Sequence, residues 1–326
     1  MIQVLVDGAA SAEDLPGWPE SAKTNDWAQF SFAADEASLC SLLPRADVLL
    51  GWNFRSGALE RNWGNATRLR WIHWCGAGVD AVLFPALAQS AVVLTNSRGI
   101  FDRAMAEYVL AYMLMECKRL PDTLDAQRSH SWNYQKSRKL AGQNAVVVGV
   151  GSIGREICRL LSAVGLNVTG VGRNERSGDP DFGHIRSFDG CDEELAGADW
   201  VIGVLPGTAD TEGVFDRTFF GRLSPHARFI NLGRGSAVNE IDLAEGLRSG
   251  GLAGAMLDVF STEPLPASSD LWQCPGLFVS PHMSGDYQEY QADMLRLFMR
   301  NLERFHAGQP LENVVNKRLG FVESST

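Results

Sequence analysis

Cysteine is thinly and irregularly spread along this chain: positions 40, 75, 117, 158, 191 and 274 form no C-x-x-C pair and match no paired-histidine spacing. That scatter excludes a disulfide frame and a metal site from the expectations, and fits reduced thiols in a cytoplasmic protein. Long apolar runs are missing as well; none approaches the roughly 20 residues of a bilayer span, so no membrane association is expected. Basic charge is in deficit, with 29 Lys and Arg against 39 Asp and Glu and a net charge of −10. That balance argues against nucleic acid or an anionic membrane as partner. The opening "MIQVLVDG" lacks a basic stretch and a cleavage site, and reads as a first strand rather than a targeting segment. Internal repeats at solenoid periods and low-complexity tracts are also absent.

What is present is ample chain for two soluble domains: 326 residues, 45% apolar and 21% charged. Apolar runs near 2–6, 47–51, 70–74 and 92–95 alternate with helical patterns near 35–43 and 82–89, as parallel strands with crossover helices do. The segment 101–121, "FDRAMAEYVLAYMLMECKRLP", carries apolar residues at helical spacing, with Asp102 as a cap and Pro121 as its end. A polar stretch, 122–144, follows it. Further strands are expected to end near Leu205, Leu232, Leu257 and Ser280, with a last helix over roughly 286–306.

Between them lies "AVVVGVGSIGREICRLLSAVGLNVTGVGRNER" (145–176): an apolar strand, G-x-G-x-x-G, a helix and a second strand. In that context the pattern signals a dinucleotide. Gly149 permits the tight turn, Gly151 admits a pyrophosphate, and Gly154 lets the helix approach the sheet. The amides at Ser152 and Ile153 open the helix toward that anion. About twenty positions on, an NAD site places a carboxylate for the ribose hydroxyls; here Gly172-Arg173-Asn174 stand instead. A 2′-phosphate requires a cation at that point. Gly172 is read as clearance, Arg173 as the bidentate clamp, and Asn174 and Arg176 as further donors, so NADP(H) is preferred and NAD(H) permitted. The alternative for Arg173 is a solvated arginine stacked on the adenine.

The expected architecture is therefore α/β: two Rossmann-like, doubly wound parallel-sheet domains with an interdomain cleft. Residues 1–97 plus 286–326 make a flavodoxin-like substrate domain, and 98–285 the dinucleotide-binding domain. Strand ends are where such sheets bind ligands. There stand Arg234 in "FINLGRGSAVNE", Asp258 and Glu263 in "GAMLDVFSTEPLP", and His282 in "LFVSPHMSGD". A cation for a carboxylate, an acid for a carbonyl oxygen and a carboxylate to tune that acid are what 2-keto acid reduction requires of a protein. Taken singly, each has a plain structural reading: a surface ion pair for Arg234, a helix-end carboxylate for Glu263, a turn histidine for His282. Cys75, beside a glycine-rich loop, is either a nucleophile or a buried thiol, and His73 reads as a core or interface residue.

The ordered set of motifs over 146–286 resembles the D-isomer-specific 2-hydroxyacid dehydrogenases: the glycine motif, an Arg in G-R-G, then D-V-F-x-x-E-P, then P-H. "WCGAGVD" (74–80) is similar to that family's substrate loop, "AEYVLAYMLMECKR" to its first cofactor-domain helix, and "NLERFHAGQPLENVV" to its C-terminal end, so the likeness spans the chain. Two departures stand out: Gly172-Arg173 in place of the acidic residue, and Met283 after His282 where small residues are usual. The resemblance implies that Arg234 bridges substrate carboxylate and keto oxygen. His282 acts as acid in reduction, and Glu263 orients its imidazole and favours the protonated form. Asp258 accepts from the nicotinamide carboxamide, with Leu205, Pro206, Leu232, Gly233, His282 and Gly285 around the cofactor and "VLPGT" (204–208) looping over it. Backbone amides at Ala77, Gly78 and Val79, with Asn53, complete the substrate site. Trp52, Phe54 and Arg55 are candidate walls, core packing being the alternative for Trp52 and Phe54.

The implied reaction is NADPH-preferring reduction of glyoxylate, hydroxypyruvate or a bulkier 2-keto acid to a D-2-hydroxy acid. A homodimer is expected across helix 101–119, whose apolar surface exceeds what one lobe covers, and the lobes are expected to close over substrate. Formate or phosphite dehydrogenases share the fold but carry extra charged residues that are not recognisable here. Dinucleotide-gated corepressors add docking tails for which these short ends leave little room.

Overall fold

Runs such as Val48–Gly51, Trp71–Trp74, Trp200–Gly203 and Gly254–Leu257 are buried at every position. A strand apolar on both faces is covered on both, which is the condition of a parallel sheet with helices either side. The computed structural model, which describes residues 1–18, 26–54 and 56–323, contains two such sheets in two units. Unit 1 is Met1–Phe101 with Tyr287–Thr326, and unit 2 is Asp102–Asp286.

Unit 1 holds β1 (Ile2–Asp7), β2 (Ala28–Ala33), β3 (Val48–Gly51), β4 (Trp71–Trp74) and β5 (Val93–Asn96). All are parallel, in the order β2-β1-β3-β4-β5. Strand β2 was not expected. Its sequence, AQFSFA, alternates polar and apolar residues, the period-2 signal of an edge strand. The core gathers Leu5, Leu39, Leu49, Ile72 and Leu94 on one face. On the other, Trp71 stacks on Phe298 of the helix Tyr290–His306. That helix begins four residues later than expected and returns the chain to this unit. The chain end is tied down by Lys317, whose ammonium donates to the carbonyls of Leu87, Ser90 and Val92 at 3.1, 2.6 and 3.0 Å.

Unit 2 holds β6 (Asn144–Val148), β7 (Asn167–Gly172), β8 (Arg176–Asp179), β9 (Gly183–Ser187), β10 (Trp200–Gly203), β11 (Arg228–Asn231), β12 (Gly254–Leu257) and β13 (Leu277–Val279). They lie in the order β13-β12-β11-β10-β6-β7-β9-β8, parallel except for the antiparallel pair β8–β9. That hairpin, absent from the sequence expectation, is short, polar and turn-rich, so it carries no apolar run to betray it. The helix Asp102–Cys117 packs on Ser152–Ala163. Pro121 does not end it: Arg119 turns the chain at φ +55, and Pro121 sits in the first turn of a second helix, Leu120–Arg128. Proline fits there because the first turn has amides with no intrahelical partner to lose. Among the described residues no helix is long and apolar enough to cross a membrane, and no group of three metal-ligating side chains occurs.

Candidate active site

In unit 2 the chain leaves β6 for β7 on one side while β10 lies on the other. The crevice beyond the carboxyl ends of β6 and β10 is therefore the topological switch point, where such sheets take ligands. Each glycine of the motif has a separate reason to be there. Gly149 turns at φ +115, and a Cβ on it would stand 2.7 Å from the Val204 carbonyl oxygen. A Cβ on Gly154 would stand 1.9 Å from the Gly149 oxygen, so only glycine lets the helix approach. Gly151 faces open space, with nothing within 4 Å of its missing Cβ. Beside that opening, Ser152 and Ile153 begin their helix with amides that no helical carbonyl can satisfy. Open backbone, free amides and a positive helix end together fit a pyrophosphate. The Ser152 hydroxyl donates to Asp102 at 3.3 Å, which places Asp102 in the first turn of its helix, holding this junction.

At the ribose end, Gly172 closes β7, but its side-chain space is filled by Val150 and Ile185 at 3.0 and 3.3 Å. Glycine there serves packing and does not clear room for a phosphate, which corrects the sequence reading. Arg173 projects beyond it, exposed, 3.4 Å from a still more exposed Asp210. Asn174 follows, also exposed. Arg176 opens β8 and leans toward Asp179 at 3.7 Å. The acids of the turn itself are engaged elsewhere. Arg155 reaches Asp179 and Asp181 at 2.7 and 2.8 Å, Arg159 reaches Asp181 at 2.6 Å, and Glu175 meets His184 and Arg186. Hydrogen bonding from Arg155 holds Asp179 down to about pKa 2. A turn whose acids are already paired presents the Arg173 guanidinium as its outward charge.

The G-R-G loop after β11 is fastened on both sides. A Cβ on Gly233 would lie 2.5 Å from the Leu205 oxygen, and one on Gly235 would lie 1.9 Å from the Phe260 carbonyl carbon. Arg234 is thereby locked between the Leu205-Pro206 loop and the segment carrying Asp258 and Glu263. Asn231 adds a side-chain bond to the Arg234 carbonyl at 2.9 Å, and Leu232 is buried beneath.

Glu263 splits its carboxylate between two donors: Oε1 accepts from the Phe260 amide at 3.0 Å, and Oε2 meets His282 Nδ1 at 2.7 Å. With Nδ1 so engaged, Nε2 is the ring nitrogen left to meet a substrate. His282 is 39% exposed in its side chain, open enough to be reached. Its φ of +53 lies in the left-handed region, which costs an L-residue about 1–2 kcal/mol. Asp258 restrains that turn. It is 1% exposed and accepts four bonds, from the Ser280 hydroxyl, the Met283 amide, the Ser284 amide and the Ser284 hydroxyl. Tyr108 extends the network, its hydroxyl 2.8 Å from Ser280 Oγ. A carboxylate offers about four acceptor positions, so these bonds occupy Asp258 within the protein and anchor the His282 loop, a role the resemblance did not imply. Ser280, Ser284 and Tyr108 were missed because serine near a strand end has no sequence pattern that separates it from an ordinary turn.

In unit 1, the loop after β4 carries Ala77, Gly78 and Val79; Asn96 donates to the Ala77 carbonyl at 2.5 Å, and Val79 is buried. Asn53 follows β3, its amide bonded to the Asp7 carbonyl. Phe54 packs partly buried against the core, and Arg55 lies outside the described residues. Cys75 is fully buried and burial pushes its thiol up, the opposite of a nucleophile. His73 is sealed in the core with Nδ1 on Thr95 at 2.8 Å, and burial takes its pKa down to about 3.

Known proteins match this chain in sequence and in fold. Residues 110–284 match the NAD binding domain of the D-isomer specific 2-hydroxyacid dehydrogenases. A glyoxylate/hydroxypyruvate reductase A of Serratia proteamaculans is 32% identical, over 79% of this chain and 83% of its own length. A D-isomer specific 2-hydroxyacid dehydrogenase family protein of Aeromonas salmonicida superposes with a TM-score of 0.84 at 32% identity, covering 97% of this chain and 99% of that one. An NADPH-dependent glyoxylate/hydroxypyruvate reductase of Sinorhizobium meliloti, solved with NADP and sulfate, superposes at 0.82 with 29% identity, covering 98% and 100%. With its glycine crevice, its locked arginine and its histidine–glutamate pair, this chain belongs to the D-isomer specific 2-hydroxyacid dehydrogenase family.

Proposed function

We propose that the protein reduces small 2-keto acids, glyoxylate and hydroxypyruvate among them, to D-2-hydroxy acids with NADPH as preferred and NADH as permitted cofactor. The observation that carries the reading is the His282–Glu263 pair at 2.7 Å on a strained loop beside the arginine of G-R-G. NADPH, held at the glycine crevice by its pyrophosphate, would supply the hydride. The protein's residues do the rest. Arg234 presents a planar fork to the substrate carboxylate and keto oxygen. Protonated His282 gives its Nε2 proton to that oxygen as charge develops, and Glu263 stabilises the cation and fixes the ring. Backbone amides at Ala77–Val79, with Asn53, hold the carboxylate. Leu205, Pro206, Leu232, Gly233 and Gly285 line the cofactor's course, and Ser152 and Ile153 give amides to its pyrophosphate. The substrate class and cofactor choice rest on the relatives' names and on Arg173. The test is oxidation of NADPH by purified protein across a panel of 2-keto acids; no turnover with any of them refutes it.

Arg173, with Asn174 and Arg176 behind it, receives the 2′-phosphate in this account. Arg173→Asp should raise the KM for NADPH at least tenfold and improve NADH, because a charge-assisted pair worth about 1.5–3 kcal/mol becomes a repulsion. An unaltered NADPH:NADH ratio of kcat/KM contradicts the assignment.

We also propose a homodimer, on altered grounds. Helix Asp102–Cys117 already has Met105, Val109, Tyr112 and Met113 buried within the chain, and only Leu114 is a large exposed apolar residue on it. The uncovered apolar surface comes after it: Leu120 and Leu124, then Trp132 at 99% and Tyr134 at 82% exposure. Aromatics so exposed mark an interaction surface. Light scattering should give about 71 kDa, twice the 35.6 kDa chain, and a Trp132→Ser, Tyr134→Ser variant about half that. A 36 kDa wild-type particle disproves the dimer.

A further inference from the structure

One carboxylate in unit 1 has no task in the scheme above. Asp7 ends β1 and is 5% exposed. Among the described residues its carboxyl has no hydrogen-bond or ion-pair partner. Buried polar groups are almost always bonded, so this one calls for an explanation. The sealed unpartnered side-chain atoms among the described residues are His73 Nε2 and Gln135 Oε1. The Asp7 oxygens are not among them, so the carboxyl keeps an opening to solvent.

Its position in the sheet is specific. In the order β2-β1-β3-β4-β5 the chain goes from β1 to β2 on one side, while β3 lies on the other. The switch point of this sheet is therefore beyond the carboxyl ends of β1 and β3, where ligands bind in such folds. Asp7 is the last residue of β1 and pairs with Gly51, the last of β3, which in turn pairs with Trp74. Gly51 leaves its side-chain space to the Trp74 ring, which a Cβ there would meet at 2.4 Å, so that ring stands over the strand beside Asp7. The Asp7 carbonyl accepts the amides of both Trp52 and Asn53, and Gly8, at φ +98, comes so close to Asn53 that a Cβ on it would lie 2.5 Å from that of Asn53. Asp7 thus sits on the same small platform as Asn53. The loop Ala77–Val79 starts from β4, two strands over, roughly 10 Å at the usual strand spacing.

We propose that Asp7 is a specificity-determining residue, accepting a hydrogen bond from a hydroxyl on C3 or beyond of the 2-keto acid. This deepens the function proposed above and rests on it. An acceptor-only group favours substrates that bring a donor, disfavours those whose distal end is apolar, and repels a second carboxylate, so 2-oxo dicarboxylic acids are selected against. A site built to bond a hydroxyl discriminates strongly against the analogue that lacks it, because its own polar group is then left unpaired.

The fold itself gains nothing from this group. Burial, with the nearby Glu36 carboxylate second, pushes Asp7 up to about pKa 6. Glu36 is itself held by Arg61 at 2.6 Å. The unfolded chain releases the proton near 3.8 and the folded chain near 6, so stability falls as pH rises through that window and stays lower above it. A destabilising group kept at a ligand-binding position is a mark of function.

The test compares matched pairs differing by one hydroxyl: hydroxypyruvate against pyruvate, and 4-hydroxy-2-oxobutanoate against 2-oxobutanoate. Wild-type protein should prefer the hydroxylated member of at least one pair in kcat/KM. Asp7→Leu should cut that preference at least tenfold, and Asp7→Asn, which keeps one acceptor, should retain part of it. Asp7→Asn should also melt higher than the parent at about pH 7.5 but not at about pH 4.5, which verifies that the variant folds. A preference unchanged in an active Asp7→Leu protein overturns this inference alone. No turnover of any 2-keto acid by wild type overturns the function beneath it as well.

Discussion

His282→Asn should lower kcat for 2-keto acid reduction by roughly 10²–10⁴, the usual contribution of a positioned acid. The affinity for NADPH, followed by quenching or enhancement of its fluorescence, should change much less. The expected asymmetry follows from placement. His282 Nδ1 is engaged by Glu263 and the pyrophosphate end of the crevice is built from Gly149–Gly154, far along the sheet from β13. Glu263→Gln tests the same pair more gently: the amide oxygen can still accept from Nδ1, but the imidazolium loses its countercharge. Its kcat should fall less than that of His282→Asn. Equal loss of NADPH binding and kcat in His282→Asn would place the residue in cofactor binding instead of proton transfer.

Asp258→Asn should be nearly as damaging although the residue meets no substrate. The native carboxylate accepts four bonds in a site 1% exposed. An amide replaces one oxygen by a donor, which then faces either the Ser280 hydroxyl and the Met283 amide or the amide and hydroxyl of Ser284. Leaving such buried donors unpaired costs about 1–3 kcal/mol each, enough to release the His282 turn from its left-handed φ. A displacement of about 1 Å at a catalytic group can cost about 10²-fold in rate, so kcat should fall by at least that factor. Ser284→Ala, which removes one of the four bonds, should give a partial loss. If Asp258 instead contacted the nicotinamide, its variant would show its main defect in the KM for NADPH with kcat spared. That outcome contradicts the anchoring role.

The parts of this protein that sequence reveals are those where chemistry and pattern coincide. Gly149, Gly151 and Gly154 each stand for a different steric demand, and the structure meets each where the motif places it. Arg234, Glu263 and His282 follow strands whose apolar runs are continuous, so their places at strand ends could be read directly. The helix break at Arg119 was hidden because a proline at position 121 is equally compatible with an ending helix and a beginning one. Strand β2 was overlooked because its alternating sequence, AQFSFA, contains no continuous apolar run. The anchoring role of Asp258 was missed for a different reason. Its four bonds come from serines and amides about 25 positions away, and such long-range saturation leaves no local trace. Asp7 was passed over as the end of a strand, since only the sheet order shows that it lies at a switch point.

In the function proposed above, His282 delivers a proton to the carbonyl oxygen of a 2-keto acid held beside a reduced nicotinamide. A crystal structure with NADP and the unreactive keto-acid mimic oxamate measures this directly. The account predicts the oxamate carbonyl oxygen about 2.6–3.2 Å from His282 Nε2, with the carboxylate on Arg234. Oxamate bound with that oxygen beyond hydrogen-bond reach of His282, or facing some other acid, would contradict it.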